Sequence, residues 1–174
     1  MNEDVHPSGE IRLRPARDDD WPMIRRWLGL PEIEQLWGPK ASSEAAVMLA
    51  MSSEHALCRI IEVDGSAAGY AHALDATLWG EDLPEALEPG TWDIDLFIAM
   101  PAYRGQGIGV QALRLIRDEV FSSTLAVAVC ISAAIANERL VRAYEKAGFR
   151  WKGVWNESGV GPAWFMTAER PATR

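Results

Sequence analysis

One stretch of the chain concentrates residue types that can do chemistry: Asp93-Ile94-Asp95-Leu96-Phe97-Ile98-Ala99-Met100-Pro101-Ala102-Tyr103-Arg104-Gly105-Gln106-Gly107-Ile108-Gly109. Two carboxylates stand two residues apart in an apolar run, and on an unbulged strand they point to the same side. A turn follows with glycine at every second position. Glycine lets backbone approach a ligand closely, and bare amides that lead into a helix N-terminus form an anion site. A phosphate or pyrophosphate is the expected ligand, with a plain tight turn as the alternative. A Walker-type loop would need Gly-Lys-Ser or Gly-Lys-Thr, and neither occurs here. A dinucleotide fingerprint fits Gly107-x-Gly109-x-x-Ala112 only by force. An acid for the ribose should follow about 20 residues on, and Val127 to Ile131 holds none.

The charge around the two carboxylates is one-sided. Between Ile60 and Tyr103 there is no Lys or Arg, whereas nine acids occur: Glu62, Asp64, Asp75, Glu81, Asp82, Glu85, Glu88, Asp93 and Asp95. The remainder of the chain holds 17 basic and 16 acidic residues, so the net charge of −8 originates in this segment. Such a surface attracts a small cationic substrate, unless it is only a solvated acidic loop. Glu85, in the polar loop Gly80 to Gly90, joins Asp93 and Asp95 as a candidate substrate contact. A nucleic-acid partner is disfavoured, because phosphates are met by a basic excess.

The 174 residues suggest one domain over 1–174, with its core at about 11–169. Hydrophobic residues at 48% and charged ones at 24% are ordinary globular values. Eight Trp are many for this length. Most are expected in the core and rim, with one or two left for a ligand. Cys58 and Cys130 lie 72 positions apart, and His6, His55 and His72 are scattered. That pattern offers neither a metal site nor a disulfide framework. Met1 to Gly9 is polar and acidic, unlike a secretory leader. The longest nearly apolar run, Leu125 to Ala136, is twelve residues, too short to span a bilayer. A cytoplasmic protein with free thiols is expected, monomeric or homodimeric, with no metal and no membrane partner.

These residues need elements to position them. Ile11 to Arg14 alternates like an edge strand that Pro15 ends. Asp18 to Asp20 opens a helix whose apolar spacing is Trp21, Ile24, Trp27 and Leu28; Gly29 and Pro31 close it. Pro31 to Trp37 reads as a short second helix. Ser42 or Ser43 caps a third, with Ala46, Leu49 and Ala50 on one face. Leu57 to Val63, the hairpin turn Asp64-Gly65 and Ala67 to Leu78 form two strands. Thr91 to Met100 is a strand and Gly107 to Phe121 a helix with Ile108, Ala112, Leu115 and Ile116 inward. Leu125 to Ile131 reads as a buried central strand. Asn137 to Ala147 is helical with Leu140, Val141, Tyr144 and Ala147 inward. Phe149 to Trp155 and Ala163 to Ala168 are strands around the turn Gly159 to Pro162. The order predicts an α+β fold with a mixed sheet of about seven strands flanked by helices and one parallel crossover.

Arg104-x-x-Gly107-x-Gly109 resembles the pyrophosphate loop of the GCN5-related N-acetyltransferases (GNATs), which bind acetyl-coenzyme A. A second signature, Asn137-Glu138-Arg139-Leu140-Val141-Arg142-Ala143-Tyr144-Glu145-Lys146-Ala147-Gly148-Phe149, resembles that superfamily's late helix, opened by Asn and ended by a Tyr-x-Lys-x-Gly-Phe run. The resemblance covers roughly Ile11 to Glu169. Within the superfamily the chain is most similar to aminoglycoside 6'-N-acetyltransferases, through Leu36-Trp37-Gly38, Gly69-Tyr70-Ala71, Glu88-Pro89-Gly90, Ile94-Asp95-x-Phe97 and Gly161-Pro162-Ala163.

The resemblance implies an acetyl-coenzyme A-dependent enzyme that transfers acetyl directly to a primary amine of a small, aminoglycoside-like cation. It implies cofactor contacts from Phe97, Ile98, Arg104, Gly105, Gln106, Gly107, Ile108, Gly109, Asn137 and Tyr144. The amides near Phe97 and Ile98 would hold the thioester carbonyl. Asp95 would orient the ammonium and take its proton through water, since a carboxylate of ordinary pKa is a weak base. Asp93 would be a second amine anchor, Tyr144 the hydrogen-bond donor to the leaving sulfur, and Trp37 a wall for a sugar ring. Core packing is the other reading of Tyr144, and a plain N-cap that of Asn137. Ser132-Ala133 stands where better-known members carry Asp-Pro, an Asp that helps to hold substrate amines. The rival readings are a GNAT acting on a protein N-terminus or lysine, and a non-catalytic coenzyme A-binding module.

Overall fold

A computed structural model describes residues 9–79, 83–157 and 161–172. Seven strands form one mixed sheet in the order β1-β2-β3-β4-β5-β7-β6. The strands are β1 (Ile11–Pro15), β2 (Ala56–Val63), β3 (Ser66–Asp75), β4 (Thr91–Ile98), β5 (Ala128–Ala134), β6 (Arg150–Glu157) and β7 (Gly161–Glu169). The helices are α1 (Trp21–Leu28), α2 (Pro31–Trp37), α3 (Lys40–Ser52), α4 (Ile108–Ser123) and α5 (Glu138–Lys146). β2 and β3 are joined at Asp64-Gly65, whose φ values of 50° and 80° suit a hairpin turn with both central residues left-handed.

Each face of the sheet buries its own core. Ile24, Trp27, Leu28, Ile33 and Val47 from α1 to α3 pack with Tyr70 and Phe97 on one side. Ile108, Ala112, Leu113, Ile116 and Val120 of α4 pack with Ile61, Ala71, Ala73, Ile94 and Val129 on the other, where Tyr144 and Phe149 join them. Residues of β3 and β4 serve both clusters, which makes these two strands the mechanical centre of the molecule. Among the described residues no helix is long and apolar enough to cross a membrane, and Cys58 and Cys130 are free thiols.

Several boundaries differ from those the sequence suggests. β3 ends at Asp75, and Ala76–Trp79 is a 3-10 turn rather than more strand. The Asp75 carboxylate ends the strand by accepting the Thr77 amide (3.0 Å) and hydroxyl (2.7 Å). β5 begins at Ala128, and Leu125 is 96% exposed. The Thr124 hydroxyl donates to Val120 O (2.8 Å) and accepts Ala126 N–H (3.1 Å), so residues 125–127 close α4 before any strand can start. α3 starts at Lys40 behind Pro39, so neither Ser42 nor Ser43 caps it. Ser43 is buried instead, with Val47 and Ala50, while Leu49 faces out. The turn expected at Gly159 to Pro162 falls partly outside the described residues.

The functional geometry comes from β4. It pairs with β3 over its whole length, from Asp75↔Trp92 to Gly69↔Ile98. With β5 it pairs in parallel only at Thr91↔Ala128, Trp92↔Val129 and Asp93↔Cys130. Beyond that point β5 continues along β7 to Ala134↔Ala163. The two central strands therefore part at Asp93 and Cys130 and leave a wedge through the sheet.

Candidate active site

The wedge opens into a cavity of about 800 Å³. Asp93 and Asp95 line it from β4, Ser132 and Cys130 from β5, and Asn137, Leu140 and Tyr144 from α5. Trp37, His72, Trp79, Trp155 and Phe165 supply aromatic walls, and Glu34 stands at the mouth. Each position follows from local structure. Asp93 and Asp95 are two apart on one strand and share a face. His72 shares that face, because it lies opposite Asp95 in the β3–β4 ladder.

Asp93 sits at the vertex. Its carboxylate accepts Trp79 Nε1–H at 2.8 Å and the Cys130 thiol at 3.5 Å. Burial pushes the Cys130 thiol well up, and the neighbouring Asp93 adds to the shift. This cysteine is therefore a thiol and not a nucleophile. Asp95 Oδ1 accepts the Leu96 amide at 2.9 Å, and Leu96 O accepts Trp37 Nε1–H at 3.3 Å. Side chains thus meet both polar groups of Leu96, which marks that residue as turned to the wedge.

Strand alternation carries this further. Ile98 opens to the wedge like Leu96, whereas Phe97 lies opposite Tyr70 in the β3 ladder. Phe97 is 1% exposed, packed 4.9 Å from Trp37 and 6.3 Å from Trp27 between ring centroids. Of the two amides expected to hold a thioester carbonyl, the parity of the strand favours Ile98. Gly69 makes this part of β4 possible: a Cβ there would stand 2.2 Å from Phe97 O.

His72 and Tyr70 form a buried polar pair beneath Asp95. Tyr70 Oη and His72 Nδ1 are 3.2 Å apart. Burial lowers His72 to about 4, so the imidazole is neutral at neutral pH. Burial raises the Tyr70 hydroxyl above its ordinary value, with Cys58 and Asp95 adding to it. Trp37 closes over both rings, 6.2 Å from Tyr70 and 5.5 Å from His72.

Tyr144 is 7% exposed and reaches the cavity from α5. Asn137 Oδ1 caps that helix by accepting Leu140 N–H at 3.1 Å. The helix ends when Gly148, at φ 94°, lets Phe149 N–H reach Tyr144 O at 3.0 Å, a Schellman closure. The Asn and the Gly-Phe run thus fix both ends of the nine-residue helix that presents Tyr144.

The glycine turn lies beyond the far end of β4. Gly105 and Gly107 have φ of 74° and 77°, and Gly107 is the N-cap of α4 without any side-chain cap. The first amides of a helix have no intrahelical acceptor, so this uncapped start can offer donors to an anion. The side chains around it face back into the protein. Arg104 Nε donates to Ile98 O (3.0 Å) and its Nη2 to Ala99 O (2.9 Å). Gln106 Nε2 donates to Ala102 O. Ile108 is buried in the core, and Gly109 lies against Ile98, 3.9 Å from a Cβ built there. Arg104, Gln106 and Ile108 hold the turn in place, so the donors that the turn itself can offer are backbone amides.

Glu85 departs from expectation. It is an exposed corner of the turn closed by Leu87 N–H to Pro84 O (2.9 Å), and the same loop gives Leu83, Pro84 and Leu87 to the cavity instead. The sequence alone does not single out His72, Trp79, Trp155, Phe165 or Glu34 as cavity residues. Only His72 had an accessible signal, its place opposite Asp95, and that register crosses a loop whose length gives no pairing. Among the described residues no group of His, Cys, Asp or Glu stands where it would hold a metal.

The acetyltransferase (GNAT) domain profile matches residues 16–156. Aminoglycoside N(6')-acetyltransferase type 1 of Klebsiella pneumoniae is 26% identical over 97% of this chain and 87% of its own length. A kanamycin resistance protein of Rhizobium radiobacter is 30% identical over 57% of this chain and 88% of its own. The crystal structure of aminoglycoside acetyltransferase AAC(6')-Ib with coenzyme A and kanamycin superposes with a TM-score of 0.80 at 27% identity, covering 92% of this chain and 95% of that one. Parted central strands, a glycine turn feeding an uncapped helix, and this profile over most of the length place the chain in the GNAT family of acetyl-coenzyme A-dependent N-acetyltransferases.

Proposed function

We propose that the protein transfers the acetyl group of acetyl-coenzyme A directly to a primary amine of an aminoglycoside-like polycation, within one domain built on residues 11–169. The observation that carries this reading is the pair Asp93 and Asp95 on one face of β4, in an aromatic-walled cavity that opens where β4 and β5 part. Two carboxylates at that spacing suit a rigid acceptor with several ammonium groups, and Trp faces add cation–π attraction. Relatives named as aminoglycoside N(6')-acetyltransferases support the acceptor class.

Coenzyme A supplies the activated acetyl group when bound. Asp95 orients the acceptor ammonium and receives its proton through water. The Ile98 amide donates to the thioester carbonyl as negative charge gathers there. The Tyr144 hydroxyl donates to the leaving sulfur, and Asn137 meets the pantetheine arm beside it. Asp93, held by Trp79, anchors a second amine. Ser132 has a hydroxyl but no charge, so the β5 side grips the acceptor less firmly than the β4 side.

The test is release of free thiol from acetyl-coenzyme A over a panel of kanamycin, ribostamycin, linear polyamines and lysine or N-terminal peptides. The fastest turnover is expected with an aminoglycoside, at its 6'-amine by mass spectrometry of the product. A peptide as best acceptor, or no release with any amine, overturns the reading.

A further inference from the structure

Arg139 is placed where helix stability gives no reason for it. It follows Glu138 in the first turn of α5, where the helix macrodipole disfavours a cation. Its neighbours pair with each other, Arg142 to Glu138 at 3.1 Å. Arg139 itself enters none of the ion pairs among the described residues. Its guanidinium instead lies over the glycine turn: a Cβ on Gly105 would stand 3.1 Å from Arg139 Nη2. Arg104, the turn's own cation, is committed to the carbonyls of Ile98 and Ala99. A second element thus brings a positive, planar fork of donors to the two left-handed glycines and the uncapped start of α4.

We propose that Arg139 holds the diphosphate of coenzyme A against this turn, so that the anion is gripped by α4 backbone on one side and α5 on the other. Binding there joins α5 to α4 through the ligand and steadies the helix that presents Tyr144. The inference rests on the family's cosubstrate and not on the acceptor proposed above, and its test uses no acceptor.

Calorimetry compares coenzyme A, 3'-dephospho-coenzyme A and pantetheine on the full chain and its Arg139→Gln variant. The side chain is exposed and Gln is a good helix former, so the fold is retained. The expected result is about a tenfold rise in Kd for coenzyme A and for its dephospho form alike, with pantetheine unchanged. Three results overturn the proposal. An equal loss with pantetheine makes Arg139 a helix residue. A loss confined to coenzyme A moves its contact to the 3'-phosphate. No loss with any ligand removes it from the site.

Discussion

The two ends of the β4 wedge are made of different material. At the end proposed for the cofactor the turn itself offers backbone amides, at Gly105 and Gly107 and at a helix that begins without a side-chain cap, and one side chain from α5, Arg139, lies over it. The side chains there, Arg104 and Gln106, turn back to brace the loop. At the acceptor end the working groups are side chains from separate elements: Trp37 from α2, His72 from β3, Asp93 and Asp95 from β4, Ser132 from β5, Trp155 from β6 and Phe165 from β7. A backbone site asks only for a few closely spaced glycines and presents the same donors whatever surrounds it. A side-chain site changes with any of its contributors.

The largest effect is expected from breaking the acceptor end at its centre. Asp95→Asn removes a charge and a proton acceptor together, yet keeps an oxygen for the Leu96 amide. kcat/KM for a polyamine or aminoglycoside should fall by about 10²- to 10⁴-fold, with coenzyme A affinity nearly unchanged by calorimetry. Activity equal to wild type would return Asp95 to the status of a surface acid. Tyr144→Phe comes next. It should lower the single-turnover rate by about 10²-fold while leaving the Kd of coenzyme A alone, because the hydroxyl acts mainly as the sulfur departs. An unchanged rate would make Tyr144 a packing partner of Phe149, from which its ring centroid lies 6.4 Å.

The same division explains what was legible in the sequence. The cofactor end lies in two contiguous motifs, and the glycine alternation with its helix start and the Asn-to-Gly-Phe helix could each be read off directly. From local pattern the acceptor end could be read only where it coincides with the first of these motifs, at Asp93 and Asp95, while the family resemblance added Trp37 and Ser132. The other walls reach the cavity through pairings that no local pattern reveals, since β3 and β4 are separated by a turn and a loop. Glu85 shows the cost of reasoning from charge alone: the acidic loop does border the site, but it borders it with Leu83, Pro84 and Leu87. Leu125 shows the same for hydrophobicity. An apolar run predicted strand, and the Thr124 cap delayed the strand by three residues.

The buried imidazole gives the acceptor end a dependence on acidity. An unfolded His takes a proton near 6.5, whereas burial lowers His72 in the fold to about 4. Between these values the unfolded state binds more protons, so stability falls as pH drops. Between pH 7 and 5 this group should remove about 2 kcal/mol of folding free energy. Urea unfolding of His72→Gln, which retains a partner for the Tyr70 hydroxyl, should lack that component. An identical acid loss in the variant would mean that His72 titrates normally. Smaller again is Gly107→Val. A β-branched residue at φ 77° costs about 1–2 kcal/mol and shifts the turn from the conformation that presents its amides, so coenzyme A should bind about tenfold more weakly by calorimetry.

The smallest effect contrasts the two ends directly. The 44 residues from Ile60 to Tyr103 carry nine acids and no Lys or Arg, and Asp93 and Asp95 belong to them. A polycation approaching the acceptor end is drawn by this field over a distance that salt sets, about 8 Å at physiological ionic strength. At the cofactor end the proposed grip on the anion is a contact one, from the amides of the glycine turn and the Arg139 guanidinium over it, and salt screens a contact less than a long-range field. Raising sodium chloride from 20 to 200 mM should therefore increase the acceptor KM by roughly threefold and the coenzyme A Kd by less. The ratio of the two changes is the quantity to measure, because a general effect of salt on the enzyme would move both alike. If the best acceptor is a singly charged amine whose KM ignores salt, the acidic segment is a solvated surface and the substrate is chosen by the aromatic walls alone.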